Sequence, residues 1–309
     1  MLHITDEMRN NVVYEGTTRK FGVTINNTFY MVKFAKENDL SVLCEYIASN
    51  FINKIGYPCQ KVDLGVYNGE LVDVIYDFAA NTEYNLHSFK DTKQSSENTD
   101  IGDKEYTYDD VLYLIDMHLK LDDRDKVKTK KQFWQMYICD AILANRDRHW
   151  GNWGYLGKDG CDKYIAAPIY DNGASLYPGI GRAIDGIADN RKQFMYNRIY
   201  VFPASLFKVE KEDRSYRTNY SEIFSDLHIN KTFAEEVRNI KNRLGYKEVF
   251  SVISEIVGGI EFSIDKRILD FWIEIVTLRY MCIVLRMDFD KAFADAERMM
   301  AEYETQLQI

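Results

Sequence analysis

Three side chains between residues 139 and 175 have the types and the spacing that chemistry on a charged group requires. Asp147 and Asn152 lie five residues apart in the segment NRDRHWGN, and Asp171 follows the strand-like run YIAAPIY further along the chain. Carboxylate and amide oxygens are the ligands that Mg²⁺ prefers, and a carboxylate can also accept the proton of a hydroxyl group. The three residues therefore predict a site that holds a divalent cation beside a proton acceptor.

The order and interval of these residues match a pattern used in phosphoryl transfer. The kinase motif H-R-D-x-x-x-x-N has the same aspartate-to-asparagine interval, and Asp171-Asn172-Gly173 stands where kinases carry Asp-Phe-Gly. Because the transferred group concentrates negative charge, its transfer depends on positioning and charge stabilisation. We predict that Asp147 accepts or orients the proton of a substrate hydroxyl, and that Asn152 and Asp171 hold Mg²⁺. Taken singly, each residue suits an ordinary loop cap or turn.

The beginning of the chain predicts a small sheet with a phosphate-binding turn. Two β-rich runs flank Asn26-Asn27, which is a turn signal typical of a hairpin. Gly16 begins a short polar stretch that can present backbone N–H groups and a cation to a phosphate. The members of this stretch that we expect to bind nucleotide are Gly16, Thr17, Thr18 and Lys20.

Lys33 and Glu45 are candidates for a phosphate-binding pair. Lys33 ends an apolar run, as the V-A-I-K lysine of kinases ends its strand. Glu45 lies in SVLCEYIASNFINKIG, where apolar residues recur at helical spacing. A lysine–glutamate pair between strand and helix positions the phosphate-binding lysine in kinases, so we expect Lys33 to grip the α- and β-phosphates. An edge-strand lysine and a helix-surface glutamate are the simpler alternatives.

A boundary between two lobes is predicted near Ala80. The runs KVDLGVY and ELVDVIYDF are joined by Asn68-Gly69, a strong hairpin signal. Residues 74 to 80 then form the candidate hinge on which an adenine would rest. The predicted fold class is α+β, a bilobal protein-kinase-like fold with a β-rich N-lobe over residues 1 to 80 and a mainly helical C-lobe over residues 81 to 309.

Helical patterns dominate the second lobe. Thr107 and Asp110 form a predicted capping box ahead of VLYLIDMHL, and a helix over FWQMYICDAILA leads into the Asp147 loop. From Tyr220 onward only helices are evident, and one of them is predicted to begin at a capping box from Thr232 to Glu235.

Two segments of this lobe are predicted to be irregular. Residues 90 to 105 carry almost no apolar side chains and predict a mobile insertion or linker. The glycine-bearing, basic segment from 173 to 200 predicts a loop that either shapes the substrate site or lies solvated on the surface. We expect His149 to brace the catalytic loop rather than to bind a metal. Three tryptophans around this loop are expected to pack rather than to stack on bases: Trp134, Trp150 and Trp153.

The composition narrows the function classes. A net charge of -9 excludes non-specific nucleic-acid binding as the main activity, because that depends on a surplus of Lys and Arg. The five cysteines form no C-x-x-C pair and are expected to be reduced and buried. The first residues lack the pattern of a signal peptide, and the most apolar late segment is interrupted by charged residues. We therefore expect a cytoplasmic protein without a membrane anchor.

With these residues placed, the chain resembles the HipA-like serine/threonine kinases of bacteria, in the short form that lacks the additional N-terminal domain. The most specific stretch is NRDRHWGN followed by APIYDNG. The resemblance implies that Asp147 is the catalytic base and that Asn152 and Asp171 are metal ligands. Gly16 and Lys20 keep the interval of the family's nucleotide loop.

Further positions extend this resemblance to nucleotide binding. Lys33 matches the family's strand lysine, and Tyr76-Asp77-Phe78 is similar to the hinge whose aromatic residue touches adenine. The family therefore implies ATP and Mg²⁺ as cofactors and autophosphorylation as a property. Thr18 replaces the loop glutamine that is common in the family, and Val12 and Val13 stand where a serine is found in some members. Thr17 or Thr18 are the alternative modification sites.

The sequence leaves several readings of the substrate and partner open. Phosphatidylinositol kinases share D-R-x-x-x-N and an I-D-N-G-like motif, so a lipid or small-molecule kinase is an alternative. A nucleotide-binding pseudokinase is a second alternative. We predict an ATP- and Mg²⁺-dependent kinase that acts on a serine or threonine hydroxyl of a protein. An antitoxin or another regulatory partner is left open by the resemblance.

Overall fold

The computed structural model describes residues 1–14, 16–36, 39–94, 107–118, 120–158, 163–211 and 214–307. Most of the predicted linker from 90 to 105 lies outside these ranges, and so does Cys161. The other four cysteines are free and buried, as predicted. Among the described residues, no helix has both the length and the hydropathy to cross a membrane.

A five-stranded sheet forms the β-rich part of the fold. Its strands are β1 (Leu2–Ile4), β2 (Lys20–Ile25), β3 (Thr28–Phe34), β4 (Val62–Tyr67) and β5 (Glu70–Tyr76), in the order β1-β4-β5-β3-β2. Both predicted hairpins are confirmed. Asn26 and Asn27 have φ of 48° and 61°, and Asn68 and Gly69 have φ of 51° and 81°, as tight hairpin turns require.

One helix, α1 (Ser41–Lys54), connects this sheet with the rest of the molecule. Its apolar residues are buried, and it contacts β4 and β5 on one side and α9 (Tyr246–Gly258) on the other. Its side chains belong to one large hydrophobic cluster with the C-terminal helices. The packing of α1 therefore fixes the sheet against the helical part, and the lobe boundary near Ala80 stays a prediction.

The middle of the chain combines a small sheet with helices. The elements are β6 (Asn85–Ser88), α2 (Phe89–Gln94), α3 (Tyr108–Met117), α4 (Asp123–Leu143), β7 (Gly154–Gly157) and β8 (Tyr164–Ala166), with the strands in the order β6-β7-β8. The Thr107–Asp110 capping box is confirmed at the start of α3. The run YIAAPIY forms a strand only over Tyr164–Ala166.

The last third of the chain is mainly helical, but it holds features that the sequence pattern did not predict. Its elements are α5 (Ile184–Ile187), α6 (Arg191–Tyr200), β9 (Ala204–Lys211), β10 (Arg214–Asn219), α7 (Tyr220–Ser225), α8 (Lys231–Arg243), α9, α10 (Lys266–Arg279) and α11 (Phe289–Leu307). The antiparallel pair β9–β10 and the helix α6 were not predicted. The predicted Thr232–Glu235 capping box is wrong, because Asn230 caps α8 and accepts the N–H of Phe233.

The fold class predicted from the sequence is confirmed by this architecture. A curled sheet with one packed helix lies against a helical body, and the two parts meet at the ends of β3 and β5 and at the loop after α4. The catalytic candidates come from both parts. The junction is therefore the place where a site can form.

Candidate active site

A cleft of about 1430 Å³ lies at the junction between the sheet and the helical body. Ten of the eleven site residues predicted from the sequence line this cleft: Gly16, Thr17, Thr18, Lys20, Lys33, Tyr76, Phe78, Asp147, Asn152 and Asp171. The eleventh, Glu45, is fully buried behind its wall. Residues that are far apart in the chain thus share one cavity.

Lys33 joins the two parts of the molecule at the centre of the cleft. Its Nζ donates to Glu45 Oε2 at 2.8 Å and to Asp171 Oδ1 at 2.6 Å. Lys33 comes from β3, Glu45 from α1, and Asp171 from the turn after the bridge residue Ile169. The predicted lysine–glutamate pair is present, and it includes the carboxylate expected to bind metal.

Glu45 also holds the Asp171-Asn172-Gly173 turn. Its Oε1 accepts the N–H of Asn172 at 2.6 Å, and its Oε2 accepts the N–H of Gly173 at 3.0 Å. Gln60 Nε2 donates to Glu45 Oε1 at 2.6 Å. Asp171 has φ of 56°, a left-handed conformation that is uncommon for residues other than glycine. The glutamate therefore fixes a strained turn through backbone contacts.

Charges inside the cleft set the protonation of its ionisable groups. Burial would lower the pKa of Lys33, but Glu45 and Asp171 raise that pKa above its usual value. Burial would raise the pKa of Asp171, but Lys33, Arg148 and Lys20 lower it. Burial and the neighbouring Lys33 lower the pKa of Lys20. Lys33 and Asp171 are therefore an ionised pair at neutral pH.

The loop after α4 places Asp147 and Asn152. The helix ends at Leu143, and the next residue, Ala144, has φ of 56°, which turns the chain away from the helix axis. Asn145 Oδ1 then accepts the N–H of Asp147 at 2.9 Å, and Asn152 Nδ2 donates to the Asp147 carbonyl at 2.8 Å. Asp147 is half-buried, and its side chain faces the cleft. The five-residue interval thus closes a short loop on itself.

Arg148 is a site residue that the sequence reasoning missed. It is buried and forms an ion pair with Asp140 on α4, at 2.9 Å. Its Nη1 donates to the carbonyls of Asn152 at 2.7 Å and Tyr170 at 2.5 Å, and its Nη2 donates to Asn172 Oδ1 at 2.6 Å. One guanidinium therefore ties the loop of the catalytic candidates to the Asp171 turn. Its place between Asp147 and His149 was the only signal in the sequence.

The donor set in the cleft fits a magnesium ion that arrives with a nucleotide. Because Asn152 Nδ2 donates to a backbone carbonyl, its Oδ1 is the atom directed to a cation. Asp171 Oδ1 binds Lys33, and its side chain remains 42% exposed. No group of three or more His, Cys, Asp or Glu side chains suited to a metal occurs within the described ranges. Mg²⁺ commonly takes one or two protein oxygens, which these two residues can provide, together with oxygens of phosphates and water.

The nucleotide loop and the hinge also line the cleft. Gly16 has φ of 107°, a backbone conformation that other residues rarely adopt, and the Lys20 ammonium lies close to its Cα. Tyr14, which the sequence reasoning also missed, donates its hydroxyl to Asp77 Oδ2 at 2.6 Å. This bond fastens the start of the loop to the hinge.

The two hinge aromatics differ in their orientation. The Phe78 ring lies 6.2 Å from the Tyr170 ring, inside the cleft. The Tyr76 ring packs edge-on against Tyr30 at 6.0 Å, and by strand alternation it points to the opposite face of β5 from Ile75. Phe78 is therefore the hinge ring that faces the cleft.

The remaining predictions for this region concern packing. His149 is exposed, and its Nδ1 accepts the N–H of Gly151 at 3.0 Å, which braces the loop as expected. Trp134 and Trp153 are buried, and Trp150 packs against Phe89. The three tryptophans thus pack against other side chains, as predicted.

Fold and site together define an atypical kinase. A lysine–glutamate pair, a metal-type carboxylate turn and an aspartate–asparagine loop meet in one cleft between a curled sheet and a helical body. This is the arrangement that phosphoryl transfer from a nucleotide requires.

Comparison with known proteins gives the family. Residues 13–197 match the HipA-like C-terminal domain family. The chain is 31% identical over 242 residues to the serine/threonine-protein kinase CtkA of Helicobacter pylori, and the matched residues cover 76% of this chain and 72% of the relative. The chain belongs to the HipA-like family of kinases.

Solved structures agree with this assignment. The crystal structure of the proinflammatory kinase CtkA of Helicobacter pylori has a TM-score of 0.80 and 27% identity, and the match covers 96% of this chain and 98% of the other. HipA of Shewanella oneidensis, solved with HipB and operator DNA, has a TM-score of 0.58 and 12% identity, over 94% and 68% of the two chains. The second likeness concerns the fold alone.

Proposed function

We propose that the protein transfers the γ-phosphoryl group of ATP, in the presence of Mg²⁺, to a serine or threonine hydroxyl of a protein. The observation that carries this proposal is the bond from Lys33 to both Glu45 and Asp171, in a cleft that Asp147 and Asn152 also line. This set supplies a phosphate-binding cation, metal-binding oxygens and a proton acceptor.

Each residue has a distinct part in the proposed reaction. Lys33 and Lys20 bind the phosphates, while Glu45 keeps the Lys33 ammonium at the cleft. The side chain of Asp147 accepts or orients the proton of the attacking hydroxyl. Asn152 and Asp171 hold Mg²⁺, which when bound neutralises charge on the phosphates.

The nucleotide has one orientation that suits the chemistry of the cleft. Phe78 at the hinge would hold the base, and the cations Lys20 and Lys33 would hold the phosphates. Tyr76 contributes its backbone rather than its ring. Backbone N–H groups of Gly16, Thr17 and Thr18 can cover the phosphates. Under this proposal residues 1–80 act as the N-lobe and residues 81–309 as the C-lobe.

A protein substrate is favoured over a phosphoinositide by the fate of the basic segment from 173 to 200. A lipid headgroup would need cations that face outward. Arg191 instead forms ion pairs with Glu274 and Glu297 at 2.7 and 3.1 Å, and Lys192 forms an ion pair with Asp290 at 2.7 Å. These cations fasten the segment to α10 and α11 and are neutralised there.

Incubation with labelled ATP and Mg²⁺ tests the proposal. Purified protein is given labelled ATP alone, with a protein lysate, and with phosphoinositide vesicles, beside the variant Asp147→Asn. Asp63→Asn, an exposed carboxylate on β4 outside the cleft, is the matched control. We expect label in protein with the wild type and with the control, and at least a 100-fold loss with Asp147→Asn.

The other outcomes separate the alternatives. Label in lipid alone would support a lipid kinase, and ATP binding without any transfer would support a pseudokinase. Label in the chain itself would establish autophosphorylation, and mass spectrometry would show whether Thr17 or Thr18 receives it. A cytoplasmic location and a regulatory or antitoxin partner remain predictions from the sequence.

A further inference from the structure

A third carboxyl group, besides those of Glu45 and Asp171, lies beside Lys33, and the proposed reaction does not use it. Asp73 is on β5 and is only 1% exposed. It is the direct cross-strand neighbour of Lys33 on β3, and Leu64 of β4 is its neighbour on the other side. Neither of its carboxyl oxygens has a hydrogen-bond partner among the described residues. A buried polar group without a partner is costly, so its retention calls for an explanation.

The groups that face Asp73 are mostly acidic. Lys33 is the cation on β3, whereas α1 presents Glu45 and the Cys44 thiol, and Asp171 lies across the cleft. Lys20 follows Lys33 in the same row of the sheet, on β2. The Lys33 ammonium donates to Glu45 and Asp171, and no hydrogen bond joins it to Asp73.

This environment favours the uncharged form of Asp73 over the carboxylate. Burial raises the pKa of Asp73 well above its usual value, and Glu45 and Asp171 add to the rise while Lys33 opposes it. A neutral acid can be buried without a partner at much lower cost than a carboxylate. An ionised Asp73 would compete for the Lys33 ammonium at a distance typical of cross-strand neighbours.

We propose that Asp73 is a positioning residue for Lys33, which acts by being neutral: it leaves the ammonium to Glu45, Asp171 and the phosphates, and its ionisation withdraws the ammonium from the cleft. This rests on the proposed role of Lys33 in nucleotide binding. As a consequence, Mg-ATP binding should weaken at alkaline pH, once Asp73 ionises in the folded protein.

Unfolding of Asp73→Asn in metal-free buffer tests the neutral state. The folded form of Asp73 keeps its proton at pH values where the unfolded chain has lost it, so the wild type loses stability as pH rises above about 4. Asparagine has the same shape and never ionises. We expect the unfolding equilibrium constant of the wild type to rise about tenfold per pH unit relative to Asp73→Asn, until Asp73 ionises in the folded state.

The Asp63→Asn variant is the control, because Asp63 is an exposed acid on the adjacent strand. It should show no such growing difference. If Asp73→Asn is less stable than the wild type at pH 7, or if the difference does not change with pH, Asp73 is a charged partner of Lys33 and the proposal is wrong.

Binding of Mg-ATP, measured by calorimetry over the same pH range, tests the positioning role. The Mg-ATP affinities of the wild type and Asp73→Asn should agree within twofold over the pH range in which the difference in stability between the two proteins still grows with pH. Above the pH where that growth stops, the wild type should bind more weakly. Loss of the Lys20 proton also weakens binding at alkaline pH, but it affects both proteins alike.

Two results would overturn the positioning role. One is a fivefold or greater loss of Mg-ATP affinity in Asp73→Asn at pH 7. The other is equal affinity of the two proteins above the pH where the stability difference stops growing. If neither protein binds Mg-ATP at any pH, the proposed function fails, whereas the unfolding experiment still decides whether Asp73 is neutral.

Discussion

Replacement of Arg148 by methionine should separate the stability of the fold from the assembly of the site. Methionine fills much of the arginine volume but removes the charge and all donors. Asp140 would then be a buried carboxylate, 2% exposed, without its cation. Breaking a buried ion pair in this way costs about 3–5 kcal/mol. The free energy of unfolding of a domain is about 5–15 kcal/mol, so Arg148→Met should be folded but much less stable.

The activity of this variant should fall for a separate reason. The carbonyls of Asn152 and Tyr170 and the Asn172 side chain lose the donor that holds them in one arrangement. A misplacement of about 1 Å in a catalytic group can cost about 100-fold in rate. We therefore expect kcat to fall at least 100-fold at a temperature where the variant is fully folded.

The double variant Arg148→Met/Asp140→Leu distinguishes the two effects. Removing the unpaired carboxylate should restore at least about 2 kcal/mol of stability, because a buried ion pair can be replaced by apolar residues at little cost. It should not restore activity. Arg267→Met is the control, since Arg267 pairs with Asp265 and Asp185 at the surface, where solvent screens the pairs, and its loss should change stability little.

Urea unfolding and a phosphotransfer assay under the same conditions provide the measurements. A cost below about 1 kcal/mol for Arg148→Met would refute the inference that the buried pair stabilises the fold. Wild-type turnover in the double variant would refute the inference that Arg148 positions the two loops.

Three further changes test other contacts of the site. Glu45→Gln should lower kcat/KM at least 100-fold, as measured by steady-state kinetics with ATP. Lys33 and two backbone N–H groups need two acceptor oxygens at this position, and an amide offers only one. Tyr14→Phe should raise the KM for ATP about tenfold with little change in kcat, since it removes a hydrogen bond to Asp77 of about 1.5 kcal/mol. An unchanged KM would show that this hydrogen bond does not position the nucleotide loop. Asp171→Asn in metal-free buffer should lower the stability of the fold at neutral pH. The loss of stability should shrink as pH falls below about 4, because the pKa of Asp171 is lowered in the folded protein and the contribution of this carboxylate disappears on protonation. A loss of stability that is the same at pH 3 and pH 7 would contradict the ion pair with Lys33.

Local features of the fold could be predicted because their signals are local. Asn26-Asn27 and Asn68-Gly69 adopt positive φ within a few residues of the strands that they join, and the Thr107–Asp110 capping box needs only one turn of helix. The Thr232–Glu235 box was wrong because Asn230, two residues earlier, is the better cap and begins the helix first.

Parts of the site escaped prediction because their partners are distant in the chain. Nothing near Arg148 indicates that its guanidinium reaches both Asn152 and Asn172. The bond from Tyr14 to Asp77 spans 63 residues. In the sequence, Asp73 is one more acid in an apolar run, and only the register of β3 and β5 places it beside Lys33.

The sequence by itself determined the kinase character of the chain. The signals for it are short patterns, since each depends on neighbours along the backbone. They are the Asp147–Asn152 interval, the position of Asp171 after a strand-like run, and the positions of Lys33 on a strand and Glu45 on a helix. The tertiary structure decided what these residues do to one another. Bonds such as the one from Lys33 to Asp171, across 138 residues, form only when the sheet is packed on the helical body. At that junction Lys33 and Arg148 lower the pKa of Asp171 against the effect of burial, whereas burial raises the pKa of Asp73.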